Sequence, residues 1–172
     1  RPLVGFHPNR LCSNPQLGTE CAAQQYTGCL PDADGVYWFD SCGNPENIYS
    51  ADKRASYNNG FVLAKEQSCN AQSGNVNNPS CGNCDFTKGT LCGVAPQGVD
   101  PVFGDYACLD LSCRDITVSN TAPASQTGSR KLGESWCAYD GAPGFGRDFV
   151  GSRHYRRICI NGQELTEPCK DF

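Results

Sequence analysis

Short runs of alternating apolar and polar side chains, rather than a helical spacing, dominate this sequence. The clearest case is 155–166, where two alternating runs flank Asn161-Gly162. Asn-Gly tolerates positive φ and suits the tight type I′ turn of a β-hairpin, so we predict paired strands over 155–160 and 163–167. No window of helical length keeps an apolar face without interruption by Gly or Pro, and we therefore expect few and short helices.

Three further segments carry strand signals. Asp34-Gly35 precedes the apolar run 36–39, and Asn59-Gly60 precedes 61–64, so each pair predicts a turn that leads into a strand. Residues 111–118 form another predicted strand. Because 19 Gly and 11 Pro favour turns between such strands, the pattern predicts a β-rich fold with much irregular structure.

The chain has thirteen cysteines, which are spread from end to end. We therefore predict that the β-rich fold is small and stapled by disulfides. Apolar residues make up only 38% of the chain, below the roughly 45–50% of ordinary globular domains, so cross-links must supplement the core. Because a reducing cytosol leaves such thiols unpaired, the composition predicts an extracellular or cell-surface location. The odd number leaves at least one thiol without an internal partner. All are disulfide candidates: Cys12, Cys21, Cys29, Cys42, Cys69, Cys81, Cys84, Cys92, Cys108, Cys113, Cys137, Cys159 and Cys169.

Cys81-Gly82-Asn83-Cys84 has the spacing used by both thioredoxin-like redox pairs and zinc knuckles. A redox pair follows a strand and precedes a helix, whereas Pro79 stands before this one; a zinc site would draw on Cys108 and Cys113. We favour structural disulfides over both alternatives, because oxidation outside the cell removes thiolate ligands. The spacing alone does not reveal which cysteines pair.

The polar run 119–129 contains no cysteine, aromatic or charged residue and is predicted as a linker or long exposed loop. It separates a cysteine-rich β and irregular region, 1–118, from a hairpin-containing region, 130–172. A surface loop within one domain explains the run as well as a domain boundary does. Because the second region is small for an independent unit, we expect one compact body.

The formal net charge of −4 at pH 7 argues against non-specific adhesion to nucleic acid or to anionic lipid. No segment approaches the ~20 consecutive apolar residues that a membrane-spanning helix needs. We therefore expect no nucleic-acid partner and no membrane span.

Asp32, Asp34 and Asp40 stand at relative positions 1, 3 and 9 of a calcium-binding loop. The remainder of that pattern is absent, because Tyr37 occupies the position of the turn glycine and Gly43 that of the bidentate glutamate. A solvated hairpin turn is the favoured interpretation, with calcium as the alternative. We expect no other cofactor.

No coherent catalytic set is present in the sequence. The chain has two histidines, His7 and His154, and lacks the Gly-x-Ser-x-Gly nucleophile motif. We therefore predict that the protein is not an enzyme.

The one concentration of basic residues is interleaved with aromatic rings near the C-terminal end. The candidates for contact with an acidic glycan or a neighbouring subunit are Trp136, Tyr139, Arg153, Tyr155 and Arg156. On a strand, Arg153 and Tyr155 share one face while His154 and Arg156 share the other. Solvated strand faces and rings that supply the core are the alternative interpretation of the same residues.

Four sequence segments together resemble one group of proteins. They are 38–49, then Cys81-Gly82-Asn83-Cys84 running to Cys92, then 132–141, and then 150–155 through Glu167-Pro168-Cys169. Over about 35–169 the chain is similar to cysteine-rich predicted extracellular surface proteins of small-celled DPANN-type archaea. The resemblance implies an exported, disulfide-stapled surface or appendage protein, and it carries over no activity and no catalytic residue.

These observations predict an extracellular structural protein, a subunit of a surface layer, filament or appendage that forms a homo-oligomer or polymer. The alternative is an adhesin module that binds a glycan or a host-cell surface through the aromatic and arginine segment.

Overall fold

A computed structural model of the chain describes residues 7–116, 128–140 and 153–168, and for 115, 116, 139, 140, 153 and 154 the backbone alone. The described chain is β-rich, irregular and disulfide-stapled with one short α-helix, as the sequence predicts. It divides into unit 1, Arg1–Asp110, and unit 2, Leu111–Phe172. Each unit is considered by itself below.

Unit 1 combines short strands with single helical turns. Its strands are β1 (Tyr26–Cys29), β2 (Val36–Phe39), β3 (Pro45–Ile48), β4 (Thr90–Val94) and β5 (Tyr106–Asp110), and its α-helix is α1 (Lys53–Tyr57). Its 3₁₀ turns are Pro15–Leu17, Asn58–Gly60, Lys65–Gln67 and Phe86–Lys88. β1, β2 and β3 form an antiparallel sheet, and β4 and β5 form a hairpin.

The core of unit 1 lies against the inner side of β2. This strand begins directly after Asp34-Gly35, as predicted, and its alternation buries Val36 and Trp38. They pack with Tyr49 and with the Cys84–Cys108 disulfide. A disulfide thus supplies part of the apolar core that the composition leaves short.

The Tyr49 side chain also holds the loop between β4 and β5. Its ring meets Trp38 edge-on at 5.4 Å, and its hydroxyl donates to the Pro79 carbonyl at 2.8 Å and accepts from the Phe103 amide at 3.2 Å. The Phe103 ring then lies against Trp38, and the Lys53 ammonium sits 4.7 and 4.6 Å from the two ring centroids. Cation–π attraction therefore joins α1 to this corner of the core.

Five disulfides join ten of the twelve described cysteines. They are Cys21–Cys42, Cys29–Cys92, Cys69–Cys81 and Cys84–Cys108 in unit 1, and Cys113–Cys159 in unit 2. The two cysteines of the C-x-x-C element bond to different partners rather than to each other. Cys108 and Cys113, the further ligands of the zinc alternative, are also in disulfides. The structural interpretation of these cysteines is the one that the pairing supports.

The predicted strand after Asn59-Gly60 is wrong. Residues Asn58–Gly60 form a 3₁₀ turn, and of 61–64 only Phe61 makes an isolated bridge, to Arg10. The reason is Asn47, whose side-chain amide donates to the Phe61 carbonyl at 2.9 Å and accepts from the Leu63 amide at 2.7 Å. The buried Asn47 side chain thus forms hydrogen bonds with backbone groups that a neighbouring strand would otherwise bond.

Unit 2 contains two small sheets. Its strands are β6 (Cys113–Ile116), β7 (Gly128–Arg130), β8 (Ser135–Asp140), β9 (Arg153–Ile160) and β10 (Gln163–Pro168). β6 pairs with β7, and β8, β9 and β10 form an antiparallel sheet with β9 in the centre. β6 lies within the predicted strand 111–118. The predicted hairpin is confirmed, because Gln163 pairs with Ile160 across Asn161-Gly162, whose φ angles are 51° and 76°.

The predicted polar loop 119–129 is partly strand. Gly128 and Ser129 belong to β7, because backbone pairing with β6 requires no apolar side chain. Residues 119–127 lie outside the described part of the chain. The division between the units falls at Asp110 and Leu111, before the polar run begins.

The hairpin turn allows a direct test. Gly162 has φ of 76° and room around a Cβ, whose nearest contact would be the Ser112 carbonyl oxygen at 3.8 Å. Gly162→Val should therefore lose stability through backbone strain alone, by about 1–2 kcal/mol, whereas Gly162→Asn should lose only a fraction of that. Urea unfolding with intact disulfides measures both. Equal midpoints for the wild type and the Val variant would contradict the turn.

Candidate functional site

The three-stranded sheet of unit 2 carries the predicted contact residues, and strand alternation separates its two sides. Trp136, Ala138, Tyr155 and Arg157 are cross-strand neighbours on one side. That side is partly buried, since Trp136 packs on the Cys113–Cys159 disulfide and Ala138 is buried. We call this the inner side of the sheet.

Trp136 is held on the inner side by its neighbours. The Arg130 guanidinium lies 5.2 Å from the ring centroid, and it donates to the Glu134 carboxylate at 2.7 Å. A hydrogen bond from the Lys131 amide and then the bond from Arg130 lower the pKa of Glu134. The Trp136 ring thus belongs to the packing of unit 2, which is the core interpretation of this aromatic.

The outer side of the sheet, which we call the outer face, carries Ser135, Cys137, Arg156, Ile158, Ile160, Gln163, Leu165 and Glu167, and all of these are exposed except Ile158, which is partly buried. Leu165 and Ile160 are 45% and 38% exposed, and Cys137 is an exposed unpaired thiol. Arg156 stands between Cys137 and Glu167 in the register and pairs with Glu167 at 2.6 Å. An apolar strip, a thiol and an exposed ion pair therefore share one surface.

The other members of the predicted contact set are placed as follows. Tyr155 is half-buried on the inner side, opposite Ala138 and Pro168, and Arg156 is exposed on the outer face. Tyr139 and Arg153 lie in β8 and β9, where only their backbone is described. The strand assignment confirms that Tyr155 and Arg156 point to opposite sides.

A second exposed thiol lies in unit 1. Cys12 is unpaired and exposed, and it follows a short ladder in which Leu11 donates to the Gly60 carbonyl and Val62 donates to that of Asn9. Phe61 and Val62 on this ladder are 40% and 53% exposed. Cys12 and Cys137 are the unpaired thiols of the described chain, whereas Cys169 lies outside the described residues.

Sequence alone does not separate these two thiols from the other eleven cysteines, because spacing does not reveal pairing. One signal was available for Cys137. It stands between Trp136 and Ala138, so a strand at this position, which was not among those predicted, directs the cysteine outward when the tryptophan points inward.

The three calcium-candidate carboxylates are not brought together. Asp40 is fully buried, and its oxygens accept hydrogen bonds from the Cys42 and Asn44 amides at 2.9 and 2.8 Å. Asp34 accepts from Lys65 and from the Phe86 amide, while Asp32 is exposed. Among the described residues the one close group of potential ligands is Cys21, Asp40 and Cys42, and its two sulfurs are bonded to each other. Asp40 therefore caps its own turn, whereas Asp34 joins segments that are distant in the sequence.

The aromatic trio 37–39 is divided between the two sides of β2. Trp38 enters the core, whereas Phe39 stacks on Tyr26 of β1 with a centroid distance of 5.1 Å and an interplanar angle of 7°. Gly28 makes this possible, because a Cβ there would lie 3.0 Å from the Phe39 ring. Tyr26 is 50% exposed and Phe39 is partly buried, so the Tyr26 ring is the member of the stacked pair that reaches the surface. Burial and then the Asp34 carboxylate raise the pKa of Tyr37 beside it.

No known protein family, curated protein or solved structure matches this chain. No helix in the described part of the chain has the length and apolar character required to cross a membrane.

Asp85 gives a test of the turn before β4. It caps that turn, bonds Thr87 and pairs with Lys88 at 2.8 Å, and these contacts, Lys88 first, lower its pKa from 3.8 to about 2. A depressed carboxylate pKa adds stability above the unfolded-state value, which is lost as pH falls through the folded-state value. Asp85→Asn should therefore flatten the stability loss between about pH 4 and pH 2, measured by urea midpoints. Parallel curves for the two proteins would contradict this.

Proposed function

We propose that this chain is an extracellular structural subunit that assembles with copies of itself into a surface layer, filament or appendage. The observation that carries the proposal is the outer face of the β8–β10 sheet, where Ile160 and Leu165 remain exposed on a regular, disulfide-anchored surface. Exposed aliphatic side chains on one ordered face are typical of protein contact sites.

The disulfides support the same role. Four bonds in unit 1 and one in unit 2 anchor short strands and irregular segments, so each unit presents its surfaces on a cross-linked framework. Disulfides persist in oxidising compartments, which supports a location outside the cytosol. The resemblance to archaeal surface proteins points in the same direction.

The outer face is tested by placing a charge on it. Leu165→Lys should abolish self-assembly, because burying a leucine contributes about 1.5–3 kcal/mol to a contact and a lysine there adds a desolvation cost. Val94→Lys, at a 66% exposed position of β4, is the matched control and should assemble normally. Light scattering and electron microscopy measure the assembly. A wild-type protein that stays monomeric at all concentrations would refute the proposal.

A second function, carbohydrate binding by an adhesin module, is favoured by one observation, the exposed Tyr26 ring that is held in place by stacking on Phe39. A flat aromatic surface can pack against the apolar face of a sugar ring, since it offers a large rigid contact area. If this function holds, the chain should bind members of a glycan array and Tyr26→Ala should lose the binding. The Tyr57→Ala variant, which removes a tyrosine that is not part of the pair, serves as control. No binding to any glycan would reject it.

A further inference from the structure

We propose that copies of this chain are joined head to tail by a disulfide between Cys12 of one copy and Cys137 of the next. The inference rests on the proposed structural role and names the covalent contact that would secure it. It begins from the two exposed thiols, which stand in a chain where every other described cysteine is bonded.

The number and positions of the linking thiols determine which covalent assemblies the chain can form. One linking thiol per copy ends growth at a dimer, because each new bond consumes both partners. Two linking thiols per copy permit an open chain. Cys12 belongs to unit 1 and Cys137 to unit 2, so a bond between them is a heterologous contact of the kind that generates open polymers.

Each thiol is accompanied by exposed apolar side chains. Cys137 shares the outer face with Ile160 and Leu165, and Cys12 adjoins the ladder that carries Phe61 and Val62. Both surfaces can lose water when they meet, which holds the two sulfurs close enough to react.

The charge distribution favours unlike units over like ones. Unit 1 has 6 Lys and Arg against 11 Asp and Glu, a net charge of −5, whereas unit 2 has 8 against 7, a net charge of +1. Each copy carries a net charge of −4, so two copies repel each other, and unit 1 of one copy is repelled far less by unit 2 of the next copy than by another unit 1. A Cys12–Cys137 contact is therefore favoured over a symmetric Cys12–Cys12 contact.

The bond forms by thiol–disulfide exchange with a low-molecular-weight disulfide. The Cys12 thiolate attacks that disulfide, forms a mixed disulfide and releases one small thiol. The Cys137 thiolate of the next copy then attacks the Cys12 sulfur, forms the protein–protein bond and releases the second small thiol. Two protein thiols are oxidised, one small disulfide is reduced, and the two thiol protons pass to the released thiolates.

The test compares single and mixed variants after incubation with oxidised and reduced glutathione. The wild type should give a ladder on a non-reducing gel that collapses to one band on reduction. On the same denaturing gel, Cys12→Ser and Cys137→Ser alone should each run as a single monomer band, and an equal mixture of the two should give covalent dimers and nothing larger. Cys169→Ser is the matched control and should give the wild-type ladder.

Peptide mass spectrometry then identifies the bond. The dimer band of the mixture should contain the Cys12 peptide linked to the Cys137 peptide. Covalent dimers formed by Cys12→Ser alone would mean a link that does not use Cys12, and the same linked peptide in the monomer band would mean an internal bond. Loss of the ladder in Cys169→Ser would assign the link to that residue. Each of these results overturns the proposal.

One further measurement separates this inference from the proposed function. The double variant Cys12→Ser, Cys137→Ser should still self-associate in light scattering through its apolar surfaces. Self-association of the double variant without any wild-type ladder would refute the disulfide and leave the structural role intact, whereas loss of both would refute both.

Discussion

Unit 1 is held together by buried asparagine side chains, which supply the hydrogen bonds that its irregular backbone needs. Asn47, Asn75 and Asn83 are 4%, 3% and 2% exposed, and each donates hydrogen bonds to at least two backbone carbonyls. A buried backbone group left without a partner costs about 1–3 kcal/mol, so a fold with so little regular structure needs such side chains. The segments between the short strands are therefore specified by local amide contacts rather than by strand pairing.

Disulfides hold in place the segments that make these hydrogen bonds. Cys69–Cys81 closes the segment that contains Asn75, and Cys84–Cys108 ties the end of the C-x-x-C element to the core beside Trp38. Closing such loops reduces the conformational freedom of the unfolded chain, typically by the equivalent of about 2–4 kcal/mol per bond. A small aromatic core can then suffice for unit 1, because the cross-links contribute what a larger apolar core would.

The surfaces left over from these stabilising contacts are the ones available for function. In unit 2 the inner side of the sheet is committed to Trp136 and the Cys113–Cys159 disulfide, while the outer face retains its aliphatic side chains and Cys137. In unit 1 the Tyr26 ring and the surface beside Cys12 are exposed in the same way. Strand alternation thus separates structural side chains from those that another molecule can contact.

The features that depend on neighbouring residues could be predicted from the amino-acid sequence. The Asn161-Gly162 hairpin, the strand after Asp34-Gly35, the scarcity of helix and the use of disulfides all follow from turn chemistry, alternation and composition. The disulfide partners, the loss of the expected strand at 61–64 to the Asn47 amide, and the separation of the three aspartates became known from the three-dimensional structure. These features depend on contacts between residues that are far apart in the sequence. Such contacts form only when the chain folds, and local sequence patterns contain no information about them.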